Sequence, residues 1–308
     1  MEKPKIIFIG TPEFAVPTLE KLHQTYGISL VVTVPDKAQG RGLKLMPSAV
    51  KQKAVELGIP ISQPESLKSE EFIKILSDIK PDIIVVLAFR ILPEEVYTLS
   101  KLGTFNIHAS LLPAYRGAAP INWAIINGEK KTGLTSFLLE KKVDTGSILL
   151  TKEFEIPEGF TAGDLHDALM PLSADLAVET CELLLSGNYQ LIPQDDSKAS
   201  KAPKIFPEDC KIDWSLPANQ VRNFIHGTSP IPGAWTIWDD KRLKIFRAKV
   251  TDYKEGIAGF FIIENSQFIV FCGEDAIIIE ELQPEGRKPM KIKDFLNGYK
   301  GEKQGIFD

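Results

Sequence analysis

The chain has 308 residues, with 36 Lys and Arg against 41 Asp and Glu, and a net charge of −5. This length predicts about two domains, since a domain typically spans roughly 100–200 residues. The acidic balance argues against a protein that coats nucleic acid, because non-specific phosphate binding needs an excess of basic residues. The three cysteines are far apart and include no Cys-x-x-Cys pair, which is typical of a reduced, cytoplasmic protein.

Neither a membrane span nor a targeting segment is predicted. The longest apolar run, Ile83–Phe89, has seven residues, whereas about 20 are needed to cross a bilayer. The N-terminus leads directly into an apolar stretch shorter than the apolar core of a secretory signal, which needs roughly 7–15 residues.

Strands and helices are predicted to alternate over the first part of the chain. The predicted strands are 5–9, 29–34, 60–62, 81–88, 104–108, 132–140 and 147–155. The predicted helices are 14–26, 48–57, 69–79, 93–99, 119–127 and 161–185. Thr11 is expected to cap the first helix, and the most apolar strand, 81–88, is expected to be central. The alternation predicts an α/β fold with a Rossmann-like, doubly wound, mostly parallel sheet, in which ligands bind outside the carboxyl ends of the strands.

The composition changes after residue 189, where polar and charged residues predict a linker at 190–205. Beyond it, one helix is predicted at 217–225. Short alternating segments follow at 234–238, 243–250, 259–264, 268–272 and 276–282. Short strands joined by Gly and Asp turns predict a small C-terminal antiparallel β-barrel. The predicted domains are therefore 1–189 and 206–308.

Asn106 and His108 lie two residues apart on a predicted strand, so their side chains leave the same face. Asn donates through its amide and His through a ring nitrogen. Together they could stabilise the oxyanion that forms when a nucleophile adds to a carbonyl. The alternative is a buried polar pair satisfied by backbone groups, and the residues alone leave both open. The apolar loop that follows, Leu111–Pro113, suits a flat heterocyclic ligand.

Asp144 and Gly146 belong to a Val-Asp-Thr-Gly sequence. A hairpin turn is the ordinary interpretation, because Asp and Gly are common turn residues. The functional alternative places the Asp144 carboxylate beside His108, where it could orient the ring and take up a proton. The spacing of these residues does not decide between the two.

Several other kinds of site are disfavoured. Gly10 follows a predicted strand, but neither G-x-G-x-x-G nor a P-loop is present, which argues against NAD and ATP. The four histidines show no metal-ligand spacing, which argues against a metal site. The Gly-rich basic loop that contains Arg41 and Lys44 is either an ordinary solvated loop or a flexible arm that touches phosphates.

Seven segments of the sequence together resemble the 10-formyltetrahydrofolate-dependent formyltransferase family. They are residues 8–14, 40–48, 106–113, 115–121, 144–146, 211–215 and 229–234. The Asn-x-His and Asp-x-Gly pair is typical of any member, including those that act on glycinamide ribonucleotide or sugar nucleotides. The Gly-Arg-Gly loop and the domain after the linker narrow the resemblance to the tRNA-directed members.

The resemblance implies formyl transfer from 10-formyltetrahydrofolate to the α-amine of methionine on initiator methionyl-tRNA. Asn106 and His108 would stabilise the tetrahedral oxyanion, and Asp144 would hold His108 and help remove the amine proton through water. No metal, NAD or ATP is implied. The folate would lie along two segments that supply backbone amides and apolar packing: Phe89, Arg90, Ile91 and Leu92, and then Ser110, Leu111, Leu112 and Pro113.

The resemblance also implies that Arg41 and Lys44 reach the acceptor stem of the tRNA and that the C-terminal domain is an OB-like tRNA-binding barrel. Two alternatives are an enzyme that formylates an amino sugar nucleotide, and an RNA-binding protein with an inactive formyltransferase domain. A monomer is expected, because no long apolar surface stripe is visible.

Overall fold

The computed structural model describes residues 3–39, 44–253 and 256–307, without the side chains of 37–39 and 44. Its strands are β1 Ile6–Gly10, β2 Leu30–Val32, β3 Lys37–Gln39, β4 Lys44–Met46, β5 Ile61–Ser62, β6 Ile83–Leu87, β7 Gly103–His108, β8 Arg116–Gly117, β9 Lys131–Leu138, β10 Ile148–Glu155, β11 Lys201–Ala202, β12 Ala234–Trp238, β13 Lys241–Thr251, β14 Phe260–Glu264, β15 Gln267–Phe271, β16 Ala276–Pro284, β17 Met290–Lys291 and β18 Gln304–Ile306. Its helices are α1 Val16–Tyr26, α2 Ala49–Glu56, α3 Glu70–Ile79, α4 Glu94–Tyr97, α5 Pro120–Ile126, α6 Ala162–Ser186, α7 Ala218–Thr228 and α8 Ile292–Gly298.

The first sheet has the strand order β10-β9-β7-β6-β1-β2-β5. The five strands from β7 to β5 are parallel to their neighbours, and β9 is antiparallel to β7. Every residue of β6 is buried, as expected for a parallel strand covered on both faces. This strand occupies the middle of the sheet, so the predicted central position and the mostly parallel Rossmann-like fold are confirmed.

Helix α3 packs against one face of this sheet. Phe72 and Leu76 are buried one turn apart on α3 and pack with Ile84 and Val86 of β6. The helix begins at Ser69, whose Oγ accepts the Phe72 N–H at 3.4 Å. Such a cap satisfies one of the backbone donors left open at a helix start.

The start of α1 differs from the prediction that Thr11 caps it. Pro12 is extended, a 3₁₀ turn covers Glu13–Ala15, and α1 begins only at Val16, with Pro17 in its first turn. Proline favours that position because the N–H it lacks is unpaired there anyway. The Thr11 hydroxyl is buried and has no hydrogen-bond partner in the part of the chain that the structure describes.

The second large sheet is antiparallel, with the order β12-β13-β16-β15-β14-β18 and with β17 on β16. It curls into a half-barrel around an apolar core that includes Trp214, Phe261 and Phe268, and α7 packs into the same core. The predicted small C-terminal barrel is confirmed in this form. Within the described ranges, no helix is both long and apolar enough to cross a membrane.

The chain forms two compact units that do not follow chain order. Unit 1 comprises Met1–Gly117, Thr132–Phe154 and His166–Lys201, and unit 2 comprises Ala118–Lys131, Glu155–Leu165 and Ala202–Asp308. The predicted sequential division at 1–189, 190–205 and 206–308 stays a prediction. It differs from these units because Ala118–Lys131 and Glu155–Leu165, which lie within the predicted domain 1–189, belong to unit 2. In unit 2, the Asn122 amide of α5 donates to the Gly227 carbonyl of α7 at 2.8 Å.

His226 is buried in unit 2, on α7, with 4% of its surface exposed. The Ala248 N–H donates to its Nε2 at 3.1 Å, so that nitrogen must be unprotonated. Burial, aided by the charges of Arg222 and Arg247, lowers the pKa of His226 to about 4. The unfolded chain has an ordinary histidine pKa near 6.5 and binds a proton there that the folded chain cannot bind until pH 4.

We expect the free energy of unfolding to fall as the pH is lowered from 6.5 to 4, by about 3 kcal/mol from His226 alone. Urea denaturation at several pH values measures this dependence. The His226→Gln variant keeps an acceptor for the Ala248 N–H and should lose this part of the slope. An unchanged slope in that variant would contradict the assignment.

Candidate active site

The candidate site lies at the carboxyl edge of the parallel strands. On β7, Asn106 pairs with Val86 of β6, and His108 pairs with Thr135 of the antiparallel β9. Thr135 Oγ1 donates to the Ser110 carbonyl at 2.7 Å and accepts the Leu112 N–H at 3.0 Å. The loop that leaves β7 is therefore fixed by a buried hydroxyl, directly after the two predicted catalytic side chains.

His108 is 6% exposed and has a defined proton position. Its Nε2 lies 2.8 Å from the Tyr115 carbonyl oxygen, which can only accept, so Nε2 carries a hydrogen. The other nitrogen, Nδ1, lies 3.9 Å from Oδ2 of Asp144. Nδ1 is therefore the ring atom that can take up or hold a proton beside a carboxylate.

Asp144 is 8% exposed, and its carboxylate is held rather than solvated. Oδ2 accepts the Gly117 N–H at 2.9 Å. The Gln194 amide nitrogen donates to the Asp144 carbonyl at 3.0 Å and to the Gly146 carbonyl at 2.8 Å. The structure thus brings Asp144 and His108 together, at a separation longer than a hydrogen bond but within the range of an ion pair.

Asn106 differs from His108 in one respect. Its Oδ1 is buried and has no hydrogen-bond partner within the described ranges. A buried polar atom without a partner costs roughly 1–3 kcal/mol. The interpretation as a polar pair satisfied by backbone groups therefore accounts for Nε2 of His108 but not for Oδ1 of Asn106.

The two segments predicted to hold folate follow adjacent parallel strands, β6 and β7, so they meet at the same edge of the sheet. The Arg90 guanidinium lies 5.3 Å from the Phe89 ring centroid and donates to the Pro64 and Glu65 carbonyls at 3.1 and 3.3 Å. Ile91 is 74% exposed.

The second folate segment is the more buried of the two. Ser110 is buried and donates to the Ala114 carbonyl at 2.6 Å. Leu112 packs with Phe137 and Ile148. Leu111 and Pro113 are half-buried. Binding of folate by either segment stays a prediction.

The two residues predicted to contact tRNA are only partly described by the structure. Arg41 lies outside the described residues, and Lys44 is described by its backbone alone, in β4. No group of three or more His, Cys, Asp or Glu side chains within the described ranges could hold a metal ion.

Two residues of the site were not predicted. Gln194 lies in the segment predicted as a linker, and Arg116 donates to its Oε1 from Nε at 3.1 Å and from Nη2 at 2.7 Å. Arg116 also pairs with Asp196 at 2.8 Å. The signal that could have revealed this segment was Ile192, an apolar residue in a polar stretch. Its backbone pairs with that of Ile148, the first residue of β10.

Comparison with known proteins agrees with this fold. The formyl transferase family model matches residues 4–180, and the model of the formyl transferase C-terminal domain matches residues 204–300. A solved structure of WlaRD, a sugar 3N-formyl transferase in the presence of dTDP and 5-N-formyl-THF, has a TM-score of 0.69 at 20% identity and covers 94% of this chain and 100% of its own. HypX from Aquifex aeolicus in complex with tetrahydrofolic acid has a TM-score of 0.63 at 16% identity, over 96% of this chain and 47% of its own.

The sequence relatives are more specific. The methionyl-tRNA formyltransferase of Clostridium novyi is 45% identical over 298 residues, 96% of each chain. The methionyl-tRNA formyltransferase of Caldanaerobacter subterraneus is 47% identical over 301 residues, 96% of this chain and 97% of that one. The chain therefore belongs to the formyl transferase family and, within it, to the methionyl-tRNA formyltransferases.

Gly146 in the Asp-x-Gly motif has a packing role. A Cβ at this position would collide with the backbone carbonyl of Leu138. We expect Gly146→Ala to lower the free energy of unfolding by about 1–3 kcal/mol, as overpacking typically does, measured by urea denaturation. Gly298→Ala is the matched control, since a Cβ there meets open space. Equal stability of the two variants would contradict this role.

Proposed function

We infer that the chain transfers the formyl group of 10-formyltetrahydrofolate to the α-amine of methionine on initiator methionyl-tRNA. The observation that carries this proposal is the buried pair of His108 and Asp144, 3.9 Å apart, with Asn106 two residues before His108 on the same strand. Relatives of 45% and 47% identity that carry the methionyl-tRNA formyltransferase name support the acceptor.

In the proposed reaction, the amine nitrogen attacks the formyl carbon, and the carbonyl oxygen becomes a tetrahedral oxyanion. The Asn106 amide donates to that oxygen, and a protonated His108 donates from Nδ1. The carboxylate of Asp144 balances the charge of the imidazolium and takes the amine proton through water. Donors fixed before the reaction stabilise the developing charge without reorganising.

Collapse of the intermediate breaks the bond from the formyl carbon to the folate nitrogen. That nitrogen receives, through water, the proton that Asp144 took from the amine, and the folate leaves as tetrahydrofolate. The folate is proposed to lie against the segments after β6 and β7, and neighbours of the same fold are named with THF or formyl-THF. Arg41 and Lys44 are proposed to contact the acceptor stem. A cytoplasmic, monomeric enzyme is part of the same proposal.

The direct test is incubation of the protein with 10-formyltetrahydrofolate and methionyl-tRNA, followed by detection of formylmethionyl-tRNA. The same assay with a dTDP-linked amino sugar tests the alternative acceptor. Product with the sugar alone would select a sugar formyltransferase, and no product with either would select an inactive RNA-binding protein.

We expect Asn106→Ala to lower kcat by about 100-fold or more, because loss of one oxyanion donor typically costs about 2.7–4 kcal/mol. Steady-state formylation of methionyl-tRNA measures it. Asn188→Ala, at an exposed position outside the site, is the control and should match the wild-type protein. Near-normal turnover of Asn106→Ala would remove the oxyanion role.

A further inference from the structure

Two residues that contact or face His108 have a left-handed backbone. Tyr115, whose carbonyl accepts from Nε2, has a φ of 62°, and Asp144, whose carboxylate faces Nδ1, has a φ of 56°. This conformation costs an L-residue other than glycine roughly 1–2 kcal/mol. Such residues persist where the surrounding structure holds them, and they concentrate at functional sites.

One stretch of chain, residues 192–200, holds both of them. Ser200 Oγ accepts the Tyr115 N–H at 2.8 Å. Gln194 Nε2 donates to the carbonyls of Asp144 and Gly146 at 3.0 and 2.8 Å. The stretch is anchored at its start by Ile192, which exchanges two backbone hydrogen bonds with Ile148 at 2.8 and 3.1 Å.

Arg116 completes the connection between the two loops. Its guanidinium donates twice to Gln194 Oε1. Its neighbour on one side is Tyr115, and its neighbour on the other is Gly117, whose N–H binds the Asp144 carboxylate at 2.9 Å. The amide of Gln194 thus spans from the loop that holds Nε2 of His108 to the turn that presents the carboxylate to Nδ1.

We propose that Gln194 is a positioning residue that sets the Asp144 carboxylate against His108. This inference rests on the proposed function of the site. The chemistry requires an amide, since two donors face carbonyl oxygens and one acceptor faces a guanidinium. A carboxylate here would satisfy Arg116 but would place its oxygens against two carbonyls and add a second negative charge near Asp144.

The test compares Gln194→Ala with Gln190→Ala, an exposed glutamine in the same stretch of chain. We expect Gln194→Ala to lower kcat by about 10- to 100-fold, because small displacements of reacting groups have effects of this size. The KM for each substrate should change by less than about threefold, since no substrate contact is removed. Gln190→Ala should match the wild-type protein.

Gln194→Glu supplies a readout that a purely structural role would not move. A protonated carboxyl can donate to one carbonyl, whereas the ionised form cannot. The kcat of this variant relative to wild type should therefore rise as the pH falls from 8 to 5. The same ratio for Gln194→Ala should stay constant.

The outcomes separate the two proposals. A wild-type protein that forms no formylmethionyl-tRNA overturns the proposed function. If wild type is active and Gln194→Ala keeps its kcat within twofold, the positioning role is wrong. A loss of activity that matches the unfolded fraction measured by circular dichroism, or a pH-independent ratio for Gln194→Glu, also overturns it.

Discussion

A carboxylate removed from water must receive hydrogen bonds or an opposite charge, because burial of an unpaired charge is far more costly than any single packing contact. Asp144 is in this position, and the arrangement of the site follows from it. Gly117 supplies the backbone donor, and His108 stands where a positive charge would be balanced. The backbone of Asp144 is left-handed, with a φ of 56°. The segments that carry Gly117 and His108 therefore meet at this one group.

The sheet makes the meeting possible. Parallel β6 and β7 end at one edge, and antiparallel β9 returns beside β7. Because β9 is antiparallel to β7, its last residue, Leu138, pairs with Phe105 near the start of β7, and the segment after β9 has to return along the sheet to bring Asp144 to His108. In this architecture, the strands fix the register and the loops carry the chemistry.

Much of the fold follows from local patterns. Continuous apolar runs predicted the buried strands, and Ser48 and Ser69 marked helix starts that the structure confirms by cap hydrogen bonds. The prediction that Thr11 caps the first helix was wrong, because α1 begins only at Val16, where Pro17 occupies the first turn that proline favours. The elements β17, α8 and β18 were missed because they are short and because pairing with distant strands, rather than local sequence, forms the two strands.

The site was predictable in kind but not in geometry. The spacing of Asn106 and His108 places them on one strand face, whereas the approach of Asp144 depends on how β9 pairs with β7. Gln194 was not predicted because its neighbours in sequence are polar, as in a linker, and because two of its three partners are backbone carbonyls, which leave no trace in sequence. Long-range hydrogen bonds from side chain to backbone are the part of a site that residue patterns show least.

The two compact units alternate along the chain, and this affects the order in which they can fold during synthesis. The segment Ala118–Lys131 belongs to unit 2, yet α7, the helix on which it packs, is synthesised about 90 residues later. Domains generally fold as units while the chain emerges from the ribosome. Here the second unit cannot close until nearly the whole chain has emerged, and α5 must wait with its contact surface uncovered.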